Sequence, residues 1–195
     1  MKKIILLIFL VLFSLKLNSN ELPSGENVIS GQVSVSSSES LMIIDQHTDQ
    51  AIIEWNSFNI DQNNSVTFNQ PSTNASALNR IISGNPTTLA GTLSANGKVF
   101  VVNENGVYFT ATSSITANSF AASTLAISND DFLNNKYQFS IDALESQLSS
   151  IINKGSITTL DGGFTALLGG AVSNEGTVNA NLGKVGIGVG KEIIL

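Results

Sequence analysis

Ile152-Asn153-Lys154-Gly155-Ser156-Ile157 returns 21 residues later as Ser173-Asn174-Glu175-Gly176-Thr177-Val178. After each copy an apolar run arrives in similar phase: Gly163-Phe164-Thr165-Ala166-Leu167-Leu168, then Gly183-Lys184-Val185-Gly186-Ile187-Gly188. A looser echo, Asn105-Gly106-Val107-Tyr108-Phe109, lies upstream. A period of about 20 residues with no helical pattern inside it suits one coil of a parallel β-helix. A single coil cannot bury its own apolar side chains. Stacking coils at about 4.8 Å aligns Val, Ile, Leu and Phe into one interior column. Asparagines at equivalent turns would then stack as hydrogen-bonded ladders. A β-sandwich is the alternative, because short strands by themselves do not separate the two folds.

Working outward, period-2 alternation marks Gln32-Val33-Ser34-Val35, Ser65-Val66-Thr67-Phe68 and Lys98-Val99-Phe100-Val101-Val102. Turn signals separate such runs at Asn96-Gly97, Asn105-Gly106, Lys154-Gly155, Gly162-Gly163, Gly169-Gly170 and Glu175-Gly176. The expectation is an all-β chain. The one helical candidate is Asp142 to Ile152, where Asp142 and Glu145 have capping-box spacing and Leu144, Leu148 and Ile151/Ile152 share a face. Ser149 and Ser150 weaken that pattern, leaving a short helix or a turn.

The 195 residues suit one domain, with 42% hydrophobic residues to form a core. Fifteen acidic residues stand against 9 basic ones, and the basic ones are scattered, which excludes a phosphate-binding patch and hence nucleic acid. Without cysteine there is no disulfide framework and no thiolate metal site. Lys2 and Lys3 precede the apolar run Ile4 to Leu15, the order of an export signal, and too short for a spanning helix. Cleavage is expected near Ser19, with a retained membrane anchor as the alternative. Removal of Lys2, Lys3 and Lys16 leaves 6 basic against 15 acidic residues, a net charge of -9. No later segment is long and apolar enough to span a bilayer.

Glu21 to Ser40, polar and β-prone, is expected to cap the first coil. Lys191-Glu192-Ile193-Ile194-Leu195 ends on an apolar strand, where a solenoid needs a polar terminal unit. The expectation is a chain that continues into a longer exported protein, or a truncated form of one.

Gly91-Thr92-Leu93-Ser94-Ala95-Asn96-Gly97-Lys98-Val99-Phe100-Val101-Val102-Asn103-Glu104-Asn105-Gly106-Val107 closely resembles the secretion domain of two-partner secretion exoproteins, the filamentous haemagglutinin and high-molecular-weight adhesin type of Gram-negative bacteria. Ala122-Ser123-Thr124-Leu125-Ala126-Ile127-Ser128-Asn129-Asp130-Asp131-Phe132 resembles the family's next segment, and Trp55-Asn56-Ser57-Phe58-Asn59-Ile60 and Leu78-Asn79-Arg80-Ile81 are similar to its upstream text. The resemblance covers about Leu22 to Phe139, with weaker repeats beyond. It divides the chain into a signal at 1–19, the secretion domain at 20–140 and further coils at 141–195.

The resemblance implies a right-handed, single-stranded parallel β-helix with an N-terminal β cap and flanking hairpins, which the pattern does not place. It also implies a function: recognition in the periplasm by the POTRA domains of an outer-membrane β-barrel transporter, then β-helix nucleation at the cell surface. The family's turn N-P-N-G-I is here Asn103-Glu104-Asn105-Gly106-Val107, the candidate recognition site. Proline in the second slot would pre-set φ for a type I turn, so Glu104 costs about 0.4–1 kcal/mol. Whether Asn103, Asn105 and Gly106 contact the transporter or only build a coil corner stays open. A second family motif, N-P-N-L, is absent; Asn85-Pro86-Thr87-Thr88 shares only its first two letters.

Parallel β-helices also carry lyases and hydrolases, which need clustered carboxylates. The close acidic pairs are Asp45/Asp49, Asp130/Asp131 and Asp142/Glu145, and Asp130-Asp131 reads as a solvated turn. His47 is the only histidine, and there is no G-x-S-x-G elbow. No catalytic, metal or cofactor site is assigned. Direct adhesion to a host-cell receptor or glycan is the second functional reading, with Trp55, Tyr108 and Phe109 as stacking candidates; burial in the core is the competing role for these rings. The sequons Asn63-Asn64-Ser65 and Asn74-Ala75-Ser76 carry no weight in so Asn- and Ser-rich a chain.

Overall fold

Side chains that alternate in and out along short strands need a closed stack of coils to bury them. The structure, a computed structural model, describes residues 21–141 and 149–195 and forms such a stack. Strands β1 (Asn27–Ser30) and β2 (Val33–Ser37) precede the first coil, which holds β3 (Leu41–Gln46) and β4 (Gln50–Trp55). The next coil has β5 (Ser65–Asn69), β6 (Ser76–Ile81) and β7 (Thr87–Leu89), and the third β8 (Thr92–Ala95), β9 (Lys98–Val102) and β10 (Val107–Phe109). In the fourth, β11 (Ser114–Ala117) and β12 (Ser119–Ser123) are followed by an excursion through α1 (Asn129–Leu133) and β13 (Gln138–Ser140) before β14 (Ser150–Asn153) closes the coil. Then come β15 (Ser156–Thr159), β16 (Phe164–Gly169), β17 (Ala171–Asn174), β18 (Thr177–Ala180), β19 (Lys184–Val189) and β20 (Glu192–Ile194). The result is a parallel β-solenoid of about six turns.

Its three faces are three sheets, ordered β1-β4-β6-β9-β12-β16-β19, β17-β14-β10-β7 and β18-β15-β11-β8-β5-β3-β2. All pairs within the coils are parallel. At the N-terminal end β1 pairs antiparallel with β4, and β2 with β3, so the expected cap is a reversal of strand direction that occupies two open edges. The 21-residue repeat sets the register: Asn153 pairs with Asn174, and Ile157 with Val178. The looser echo is out of phase, because Phe109 is the residue that pairs with Asn153; Asn105-Gly106 belongs to an earlier corner.

Inward residues such as Ile53, Val66, Leu93, Val99, Ile115, Phe120, Ile157 and Leu167 build the interior column. Burial of apolar area at about 25 cal/mol per Å² drives that stacking. A second core lies outside the first sheet. Outward-facing Ile52, Leu78, Phe100, Ala121 and Leu168 are covered by Leu125, Ile127, Phe132 and Phe139 of the excursion. This explains why β9 and β12 are buried along nearly their whole length. β13 also pairs antiparallel with β20, which ties the excursion to the last coil.

Two expectations change. Asp130-Asp131 is the first turn of α1, not a solvated turn, because Ser128 Oγ accepts from the Asp131 backbone amide at 3.0 Å and caps the helix. The helix-or-turn reading of Asp142 to Ile152 falls mostly outside the described residues, which omit 142–148. Its last residues, Ile151 and Ile152, lie on β14, where parallel pairing with β10 and β17 overrides their helical spacing.

Candidate functional site

The Asn103–Val107 turn joins the first sheet to the second, between β9 and β10. Asn103 is fully buried and uses both ends of its amide. Nδ2 donates to the Asn85 carbonyl and to Thr87 Oγ1, each at 3.0 Å, on the coil before. Oδ1 accepts from the Asn105 backbone amide at 2.9 Å and from Asn105 Nδ2 at 3.4 Å. The turn closes through Gly106 N–H donating to the Asn103 carbonyl at 3.1 Å, and the Gly106 carbonyl accepts from the Thr87 amide at 3.0 Å. An Asn here is therefore both turn former and inter-coil clamp, which Ser or Asp could not reproduce for lack of two amide donors.

Gly106 is buried with φ of 124°, a backbone that side chains bearing a Cβ avoid. Val107 begins β10 and is fully buried in the interior column. Glu104 and Asn105 are exposed at the tip. Asn105 Nδ2 donates to the Ser83 carbonyl at 2.9 Å, so the tip rests on the 82–87 loop of the preceding coil. That loop carries Ile82, an exposed apolar side chain beside the turn. Of the five sequence-predicted residues, then, three are buried and two are exposed.

Beside this corner a cleft of about 180 Å³ is lined by Glu21, Asn56, Ser57, Phe58, Asn59, Ile81, Ser83, Asn85, Pro86 and Thr87. Sequence reasoning did not single out Glu21. No short motif marks it; it becomes visible only when the N-terminal segment lies against the first coil.

A buried polar relay also escaped the sequence. Trp55 Nε1 donates to Asn79 Oδ1 at 3.0 Å, and Asn79 Nδ2 donates to the Phe100 carbonyl at 3.2 Å, linking β4, β6 and β9. Trp55 and Phe109 are buried and Tyr108 is half-buried, so the rings considered for stacking on a ligand serve mainly as core. The ladder expected between corner asparagines is present: Asn153 Nδ2 donates to Asn174 Oδ1 at 2.7 Å.

The acidic pairs do not converge. Asp45 Oδ1 accepts from Asn69 Nδ2 on the next coil, Asp131 sits at the α1 cap, and Asp142/Glu145 lie outside the described residues. His47 Nε2 is 3.2 Å from Ser34 Oγ on the exposed cap. Among the described residues no three His, Asp or Glu side chains cluster as metal ligands, and no helix is long and apolar enough to cross a membrane.

A solved structure, the HMW1 secretion domain from Haemophilus influenzae, superposes with a TM-score of 0.84 at 36% identity, over 88% of this chain and 46% of that one. A heme/hemopexin-binding protein of Haemophilus influenzae is 41% identical over 107 residues, 55% of this chain and 12% of the relative. A second protein of that description and organism is 37% identical over 120 residues, 61% of this chain and 13% of the relative. The chain thus spans about an eighth of the length of these two relatives. The model of the TPS secretion domain matches residues 19–193, a family of secretion domains rather than of enzymes. With nearly the whole described solenoid inside that match, the chain belongs to the TPS secretion domain family.

Proposed function

We propose that this domain is the export address of a longer exoprotein. After cleavage of its signal segment, the POTRA domains of an outer-membrane β-barrel transporter recognise it in the periplasm. It then nucleates β-helix folding at the cell surface. The observation that supports this reading most is the Asn103–Val107 corner. Its amide clamp ties the third coil to residues already laid down in the second, so each coil can be fixed in the order in which the chain emerges. A β-prone segment with few charges is also suited to adding a strand to an exposed sheet edge before it folds.

The test is capture of the mature chain, in mild denaturant, by the POTRA domains of the transporter encoded with it, beside Asn105→Ala and Asn103→Ala versions. Capture that weakens in Asn105→Ala supports recognition at the turn. Capture by the POTRA domains that neither variant weakens assigns the turn to structure and leaves targeting in place. No capture at all overturns the targeting reading.

The relatives' description supports a second reading for the longer protein, engagement of heme or hemopexin by regions beyond this domain. Direct adhesion by the domain itself predicts that the purified mature chain binds cells or glycans without a transporter.

A further inference from the structure

We propose that the cleft between the N-terminal segment and the 82–87 loop is a socket for one basic side chain, a lysine ammonium or arginine guanidinium, presented by a protein partner of the folded domain. The inference is independent of the transporter reading, since the cleft exists only once the first two coils are stacked.

Among the described residues, Glu21 is the only charged one that lines the cleft. Its backbone is pinned to the first coil: its amide donates to Asp61 Oδ2 at 2.9 Å, and its carbonyl accepts from the Asp61 amide at 3.0 Å and Asn64 Nδ2 at 2.8 Å. Its carboxylate is pinned as well, through Oε1, which accepts from Ser57 Oγ at 3.1 Å and Asn59 Nδ2 at 3.0 Å. Oε2 has no hydrogen-bond partner among the described residues. The ion pairs among those residues are Arg80–Glu54 and Lys154–Glu175, and Glu21 belongs to neither. A carboxylate fixed in place by neutral donors, with one oxygen left over and no counter-charge among the described residues, is a preformed half of a salt bridge.

The rest of the lining suits a long cationic side chain. Pro86, exposed at the rim above the buried Ile81, supplies apolar surface for its methylene stem, while Asn56, Asn59, Ser83 and Asn85 supply polar groups near its head. Holding the carboxylate rigid in advance removes the side-chain ordering that makes most exposed ion pairs weak. Because Oε1 already accepts two hydrogen bonds, a fork-to-fork bidentate pair is not built in. The geometry therefore admits lysine as readily as arginine.

The test titrates the folded mature chain with N-acetyl-arginine amide and N-acetyl-lysine amide, following the side-chain amide signals of Asn59 and Asn85 by NMR at low and high salt. The expected result is saturable shifts confined to these amides with either probe, weakened by salt and reduced about tenfold in apparent affinity by Glu21→Gln. That substitution keeps the Oε1 acceptor, and Glu26→Gln, on the exposed N-terminal segment, is the control expected to leave binding unchanged. Shifts that do not saturate, that spread over the surface, or that persist in Glu21→Gln would overturn the proposal. If Glu21→Gln fails to fold, salt-insensitive or delocalised shifts in the unaltered chain overturn it equally.

Discussion

Asn103 Nδ2 donates to Thr87 Oγ1 at 3.0 Å from one coil to the coil before, and both residues are buried. This bond, with the companion bond to the Asn85 carbonyl, makes a sequence-local turn into a long-range contact. The turn motif therefore carries two kinds of residue, and the first prediction separates them.

Asn103→Ala leaves Thr87 Oγ1 without a partner in a buried corner and removes the acceptor of the Asn105 amide, at a cost of about 1–3 kcal/mol. Asn105→Ala loses an exposed bond to the Ser83 carbonyl, worth below about 1 kcal/mol. Chemical denaturation of the two variants should show the larger drop for Asn103→Ala. Equal drops would mean that the buried clamp is not what holds the corner.

Gly106→Ala forces a Cβ onto a backbone with φ of 124°, and that Cβ would meet the Ser150 carbonyl and the Tyr108 hydroxyl at 3.3 Å. The expected loss is about 1–3 kcal/mol, from conformational strain more than from crowding. Gly84→Ala, in the neighbouring loop with open space around it, is the comparison that should stay near neutral. Urea unfolding midpoints of the two variants decide it.

Phe132 packs edge-to-face on Phe100 at 5.4 Å and is the buried anchor of α1 on the outer core. Phe132→Ala should cost about 3–5 kcal/mol and act on the excursion first. Hydrogen exchange is expected to rise at α1 and β13 while inward β9 and β12 amides keep their protection. Uniform acceleration would show that the outer core is not separable from the solenoid.

Tyr137 lies 4.9 Å from the Phe100 ring and its hydroxyl donates to Asn135 Oδ1 at 3.2 Å; burial raises its pKa above the ordinary 10.0, with the Ser76 side chain acting in the opposite direction. The folded form thus holds the phenolic proton more tightly than the unfolded one. Its stabilising share is complete below pH 10 and is lost as pH rises from there through the raised value. Stability of the wild type should fall over that alkaline window. Tyr137→Phe should remove that component of the slope, measured by denaturation at a series of pH values.

The solenoid was legible because its register is written in the sequence: a shift of 21 residues carries Asn153 onto Asn174, and the pairing follows it. The cap was legible from polarity, though not its antiparallel sense. The second core was not, since Phe132 and Phe139 satisfy outward residues such as Leu78 and Phe100 only through the excursion, and no period links them. The helix capped by Ser128 was not legible either, because five residues are too few for a helical period to show. At the site, the turn could be read from its residue order, but the inward direction of Asn103 depends on Asn85 and Thr87, and that of Asn79 on Trp55, partners 16 to 24 residues away.

The most direct test of the account is the amount of mature chain in the medium of a Gram-negative host expressing it with and without its cognate outer-membrane transporter. Release should require the transporter and fall when Asn105→Ala is introduced into an otherwise stable domain. Equal release without the transporter would contradict it.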